Sequence, residues 1–320
     1  MKPGTNRRPR TPCPPVLQSR GRGDTYPFPG TKTIEGPNGR GRFANLPGQN
    51  TEVPMADYSS YKDLLIEIED GIALLTMNRP EKMNATGFQL HNELSRIWVD
   101  LGQDPDVRVA VITGAGRAFS AGGDFEMLEA AIGNSEVVAS NMQEASDIVH
   151  NMMNLDKPVV SAINGVAVGA GLAVALLADI SIASEKARFT DGHIRLGVAG
   201  GDHATLIWPL LMSMAKVKYY LLTCGFLDGI EAEKLGLVSL VVPPDELMPK
   251  AMEVARNLAA GPQPALRFTK RALNQWLRVA AHTSFDYSLA VEMLGFLGED
   301  VKEGYAALKE RRAPNFPSAQ

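Results

Sequence analysis

The sequence predicts an α/β domain followed by a helical C-terminal region. Short apolar runs of strand length alternate with amphipathic helical patterns from Leu64 to Ala183. From His203 onward the apolar periodicity is mostly helical. Two of the strand-to-helix junctions are built from small residues.

The first element is a hairpin. Leu64–Ile68 and Ile72–Met77 flank Glu69-Asp70-Gly71, and Asp-Gly between two such runs is a hairpin signal. A helix is predicted from about Thr86 to Leu101, because Leu90, Leu94, Ile97, Trp98 and Leu101 form one stripe. Arg108–Thr113 reads as a buried strand closed by Gly114-Ala115-Gly116. Glu136–Asn154 follows as a helix with Met142, Ala145, Val149 and Met152 on one face. Pro158–Ile163 is the next strand, Leu172–Ala178 a buried helix and Ile180–Ala183 a strand. The helical tail comprises Leu206–Thr223, Ile230–Leu235, Leu247–Ala260, Ala265–Ala281 and Ser284–Leu297. The run Glu299–Lys302 reads as a solvated helix start.

Composition narrows the function classes. The 320 residues are 45% apolar, enough for a sizeable core. The net charge of −4 argues against a general nucleic-acid or membrane-surface binder. Residues 1–54 differ from the rest: nine Lys/Arg against three acids give +6, leaving −10 for residues 55–320. They also hold ten of the 21 prolines and no periodic apolar run, so a disordered basic extension is expected there, with Met55 a candidate start. No apolar segment suits a signal peptide, and the longest apolar stretch, Gly165–Ala178, has 14 residues against the ~20 a bilayer needs. With only Cys13 and Cys224, no disulfide framework is possible, and a soluble cytoplasmic protein is expected.

Familiar signatures are absent. Gly169-Ala170-Gly171 begins like a dinucleotide fingerprint, but its sixth position is Val174. The histidines at 91, 150, 193, 203 and 282 lack metal-ligand spacing, apart from His193 and His203 in a glycine-rich loop, and no metal is expected. His91 and His150 are expected to be solvated or hydrogen-bonded within helices, and Cys224 to be a buried small residue. Two loops share one physical form, a strand, then small residues, then a helix: Arg117–Phe125 and Asn164–Leu172. Small side chains let backbone N–H groups approach a ligand, and a helix start leaves such groups unpaired. Two such loops converging on one carbonyl oxygen would make an oxyanion hole.

The order of these pieces resembles the crotonase superfamily, the enoyl-CoA hydratase/isomerase family. The resemblance runs from Tyr61 to Phe316. It includes Asn78-Arg79-Pro80, Lys82-Met83-Asn84-Ala85, Phe119-Ser120-Ala121-Gly122-Gly123-Asp124, Lys157-Pro158, Asn164-Gly165, Gly169-Ala170-Gly171 and Ala178-Asp179-Ile180. It ends with Asp300–Gly304 and Arg311–Phe316. It implies a spiral of ββα units over residues 55–258 and a helical trimerisation region over 259–320, assembled as a homotrimer or a dimer of trimers. It implies an oxyanion hole from the N–H groups of Ala121 and Ala170. It implies that coenzyme A, carried by the substrate and not as a separate cofactor, lies along Lys82, Met83, Asn84 and Ala85 and the loop with Ala118, Ser120, Gly122, Gly123 and Asp124. Lys270, from a neighbouring subunit, would reach the CoA phosphates.

The departures are informative. Family hydratases deliver water with two glutamates, and here those positions are Ala173 and His193. His193 is followed nine residues later by Asp202, an arrangement similar to the branch that hydrolyses β-diketones (6-oxocamphor hydrolase type). That branch's further histidine would fall at Gly171. The expected catalytic pair is therefore His193, accepting or relaying a proton, with Asp202 orienting its ring. The opposing expectation is that His193 makes a structural hydrogen bond and Asp202 caps the helix beginning near His203. Three functions follow in order: an enolate-forming enzyme of an acyl-CoA thioester, a cofactor-free hydrolase of a β-dicarbonyl compound, and a non-catalytic RNA- or protein-binding member. No nucleic-acid or membrane partner is expected for the leading two.

Overall fold

The computed structural model describes residues 57–320, so the expectation for residues 1–54 lies outside the described residues. The first described strands are β1 (Leu64–Glu69) and β2 (Ile72–Met77), paired antiparallel from Leu64–Met77 to Glu69–Ile72. The two turn residues Asp70 and Gly71 both have positive φ, as an Asp-Gly hairpin requires. There follow α1 (Phe88–Gln103), β3 (Val109–Gly114), β4 (Ala118–Ala121), α2 (Phe125–Ala131), α3 (Ser135–Asn154), β5 (Val159–Ile163), β6 (Val166–Val168) and α4 (Gly169–Leu177). Next are β7 (Ile180–Ser184), β8 (Arg188–Phe189), the single turn α5 (His193–Leu196), α6 (Ala204–Leu211), α7 (Met214–Thr223), β9 (Leu227–Asp228), α8 (Gly229–Leu235) and β10 (Leu240–Val242). The chain closes with α9 (Leu247–Ala260), α10 (Gln263–Ala280), α11 (Asp286–Phe296) and α12 (Asp300–Glu310).

Six strands form one sheet in the order β1-β2-β3-β5-β7-β10, parallel from β2 to β10. Its central strands are buried on both faces, and alternate residues feed two cores. Ala110 and Ile112 join the larger core with the stripe of α1, while Val109, Val111, Val160 and Ile182 meet α9. Alanines 251, 255 and 259, four apart on α9, present a flat face to the sheet. A smaller sheet, β4-β6-β8-β9, carries the two glycine-rich loops at its strand ends.

The long helix expected over Leu206–Thr223 is two helices, broken at Met212-Ser213 with Met212 extended. Glu299 and Asp300 do open α12, but the next residue, Val301, is fully buried. Gly304 lets α12 lie on the turn carrying His193, since a Cβ there would fall 2.1 Å from the Leu196 carbonyl oxygen. Cys224 is buried, as expected for a small apolar residue. No described helix is long and apolar enough to cross a membrane.

Candidate active site

The two glycine-rich loops meet. Gly122 takes a positive φ and Gly169 another. A Cβ on Gly169 would lie 3.4 Å from the Gly122 Cα and 3.8 Å from the Gly123 nitrogen. Asn84 and Asn164 hold these loops from behind. The Asn84 amide donates to the carbonyls of Ala115 and Ala118 at 2.9 and 2.8 Å, and that of Asn164 donates to Gly114 at 2.8 Å. Asn84 is thereby a buried clamp and not a ligand contact. Ala118 and Ser120 are likewise buried behind the loop. Ser120 fills the space over Gly171, where a Cβ would come within 2.2 Å of its own Cβ. A histidine at that position would have no room.

Of the two N–H groups expected to face a ligand, that of Ala121 does not, because it donates to the Met83 carbonyl at 3.0 Å. This corrects the expectation. Met83 and Asn84 both adopt positive φ, and the turn they form brings the Met83 carbonyl onto β4. The Gly123 N–H, two residues on, has no partner among the described residues and lines the same cavity. Ala170 lies in the first turn of α4, which has no side-chain cap, so its N–H is free of an intrahelical acceptor. Gly123 and Ala170 are the loop donors that the structure brings together.

These donors line a cavity of about 950 Å³ together with Lys82, Met83, Ala85, Gly122, Asp124, His193 and Asp202. Asp124 acts locally. It caps α2 through the Glu126 N–H at 3.1 Å and pairs with Arg79 and Lys82 at 2.8 and 2.9 Å. Burial pushes its carboxyl up, but these hydrogen bonds hold it below the usual value. Lys82 remains half exposed at the cavity mouth. Lys270, expected to serve a neighbouring subunit, has its ammonium buried within its own chain, donating to the Lys157 carbonyl at 2.8 Å and pairing with Asp179 at 2.7 Å. Arg117 lines the mouth instead, exposed and without a carboxylate partner among the described residues.

His193 is in the cavity wall, but Asp202 does not orient it. Its Nδ1 lies 3.0 Å from both oxygens of Asp191, whose Oδ1 also accepts the His193 backbone N–H. Nε2 faces Glu292 of α11 at 3.4 Å, with Asp202 farther off at 3.8 Å. Asp202 is held by His203 Nδ1 at 2.6 Å and does not cap α6. The alternative expectation, a capping Asp202, is thus also not met. Glycines admit these groups: the Gly201 N–H donates to Glu292 Oε2 at 3.1 Å, and a Cβ there would strike the Ser288 carbonyl.

Charge decides what the cluster can do. Burial would lower the His193 pKa, yet Asp191, Asp202 and Glu292 raise it well above the ordinary value. Burial would raise Asp191, but His193 holds it low. Glu292 is pushed up by its burial in spite of His193. Asp202 is held low against burial by the two histidines. A protonated imidazole beside a carboxyl of raised pKa is a proton donor next to a proton acceptor. Asp191, His193 and Asp202 also each offer a ligand atom within 4.8 Å of the others. In the structure these atoms are engaged with one another, with Glu292 and with His203, so a proton-sharing network describes them.

Sequence reasoning missed Asp191 and Glu292. Asp191 had a local signal, an acid two residues before the histidine. Glu292 is the sole charge in the apolar run Leu289–Leu294, and a lone carboxylate in such a run is costly unless it is used.

Comparison with known proteins agrees with this architecture. The family model described as enoyl-CoA hydratase/isomerase matches residues 67–319. The chain is similar to an (E)-benzylidenesuccinyl-CoA hydratase of Thauera aromatica, 34% identical over 79% of this chain and 98% of that one. Among solved structures it is similar to an enoyl-CoA hydratase/isomerase of Mycobacterium paratuberculosis, with a TM-score of 0.74, 36% identity, and coverage of 76% and 97%. It is also similar to a β-diketone hydrolase of the cyanobacterium Anabaena, with a TM-score of 0.70, 30% identity, and coverage of 75% and 96%. With its sheets, its paired glycine-rich loops and these relatives, the chain belongs to the enoyl-CoA hydratase/isomerase family, the crotonase superfamily.

Proposed function

We propose that this protein forms and protonates the enolate of an acyl-CoA thioester in the cavity between its two glycine-rich loops. The observation that carries the reading is the convergence of two N–H groups without a partner among the described residues, Gly123 and Ala170, beside the His193–Glu292 pair. The thioester carbonyl oxygen sits between the two N–H dipoles, which stabilise the charge that develops when a proton leaves carbon or a nucleophile adds to the β-carbon. Glu292 takes a proton from substrate or water, and the His193 imidazolium returns one to carbon. Asp191 fixes the ring and balances its charge. The CoA part runs along Lys82, Met83 and Ala85 at the mouth, with Arg117 taking the phosphate-binding part first expected of Lys270. Coenzyme A enters as part of the substrate, and no separate cofactor takes part.

A panel of enoyl-CoA and acyl-CoA esters, assayed by mass spectrometry, tests the reading. Turnover of at least one supports it, and turnover of none counts against it. Arg117→Ala is expected to raise KM for a CoA ester several-fold with little change in kcat, because it removes a contact kept in ground and transition states alike. Removal of residues 1–54 is expected to leave turnover unchanged, since that stretch is proline-rich and carries no periodic apolar run. A loss of most of kcat/KM in the truncated protein would refute that.

A second reading is hydrolytic C–C cleavage of a β-diketone without CoA. It is favoured by the histidine that replaces a family glutamate and by the likeness to the Anabaena enzyme. There the two N–H groups would hold one ketone oxygen while Glu292 or His193 directs water to the other carbonyl. Cleavage of cyclic diones with no turnover of any CoA ester would select it. A homotrimer or dimer of trimers is part of the same reading: Phe268, Leu273, Trp276 and Val279 of α10 are largely exposed, Trp276 at 73%, and suit an interface between copies. Light scattering of the purified protein measures this directly.

A further inference from the structure

His91 and Asn141 are two polar side chains of the cavity that the chemistry above does not use. His91 sits on α1 and is almost fully buried. Its Nδ1 is 2.7 Å from Glu144 Oε2 on α3, and Asn92 donates to the other Glu144 oxygen at 2.9 Å. Burial pushes the Glu144 carboxyl up, but these two hydrogen bonds hold it below its ordinary value, so it is an acceptor. The ring is therefore fixed from behind, through Nδ1. Its Nε2 has no partner among the described residues, and His91 lines the cavity. Asn141 lies one helical turn from Glu144 on the same face of α3 and lines the cavity too. It is only 9% exposed and makes no side-chain hydrogen bond among the described residues. Its nearest cavity-lining neighbours on α3 are apolar: Val138, Met142 and Ala145.

The Asn141 amide on an otherwise apolar wall, with an imidazole of the adjoining helix braced by a carboxylate, makes a recognition element that faces the cavity. We propose that His91 Nε2 and the Asn141 amide bind a second oxygen of the substrate, remote from the carbonyl held by Gly123 and Ala170. The substrate class is thus an acyl group or ketone with a second carbonyl or hydroxyl, and a plain aliphatic acyl chain is selected against. The amide both donates and accepts, and the imidazole nitrogen accepts or donates according to its proton, so either kind of oxygen is accommodated. This inference rests on the reading that the substrate occupies this cavity, but not on the substrate being a thioester.

Binding of matched pairs tests it by calorimetry on the full chain. One pair is butyryl-CoA and a hydroxybutyryl-CoA whose hydroxyl is at the chain end. The other is cyclohexanone and a cyclohexanedione. The wild type is expected to bind the partner with the second oxygen at least about 10-fold more tightly in one series, as two hydrogen bonds allow. Asn141→Leu, which keeps the branching and the number of side-chain heavy atoms, is expected to bring that ratio within about 2-fold, and His91→Phe gives a second variant should the first not fold. A preference in the dione series with no binding of either CoA ester upholds the inference and removes the thioester reading. CoA esters bound with a ratio near one, with no preference in the dione series, overturn the inference and leave the thioester reading standing. A ratio unchanged in both variants, or no binding in either series, overturns it as well, and the two side chains then hold only water.

Discussion

Ala170→Pro is expected to lower kcat by roughly 10²–10³, the usual cost of one missing oxyanion donor. The substitution removes the N–H outright. Proline is tolerated in the first turn of a helix, where the N–H lacks an intrahelical acceptor, and Ala170 is the second residue of α4. The fold should therefore survive, with Tm as the check. By contrast Ala121→Ser, which keeps a backbone N–H already bound to Met83, is expected to alter kcat by less than about 3-fold, because that N–H is not a catalytic donor. A well-folded Ala170→Pro protein with near-normal turnover would exclude this loop from the oxyanion hole.

The second large effect concerns the proton-transfer pair. Glu292→Gln and His193→Ala are each expected to reduce kcat by about 10²–10⁴, in line with loss of a general base or acid. The pH profile separates them. The wild-type kcat/KM should be bell-shaped. Its acid limb reports Glu292, above the ordinary glutamate value of 4.5, and its alkaline limb reports His193, well above 6.5. Glu292→Gln should erase the acid limb and leave the alkaline one. Stability follows the same signs. The raised His193 pKa contributes stability that is complete below about 6.5 and lost as pH rises through the folded value. The raised Glu292 pKa likewise favours folding at low pH, and its share is lost as pH rises. The depressed Asp191 pKa works in reverse: its stabilisation is present above about 3.8 and lost as pH falls through the folded value. Asp191→Asn should accordingly shift the alkaline limb downward, because the charge nearest His193 is gone. Asp202→Asn should shift it less, from 3.8 Å.

Much of the fold was legible because its long elements carry strong periodicity. The stripe of α1, the apolar runs of β3 and β5, and the Asp-Gly hairpin turn depend on local patterns. The strands of the smaller sheet are two to four residues long, too short for a period to register. The break between α6 and α7 lies in an apolar stretch whose main mark is Pro209, three residues upstream of Met212. In the site, His193 and Ala170 could be read from motif position, but their partners could not. Which peptide of the first loop points its N–H at the cavity depends on the left-handed turn at Met83 and Asn84, a segment well upstream of Ala121 whose carbonyl reaches it only in the folded chain. Glu292 reaches His193 from a helix 99 residues along the chain. The resemblance implied a phosphate contact for Lys270, and only the tertiary fold shows its ammonium paired with Asp179.

Enolate formation at a thioester in this cavity is tested most directly by solvent exchange, which reads that step whatever the net reaction. The protein is incubated with saturated acyl-CoA esters in D₂O, and deuterium at the α-carbon is followed by mass spectrometry. Wild-type protein is expected to incorporate deuterium into at least one ester, and the rate should fall by about 10² or more in Ala170→Pro and in Glu292→Gln. Cleavage of cyclic diones by an enzyme that exchanges no α-proton of any CoA ester would contradict the account.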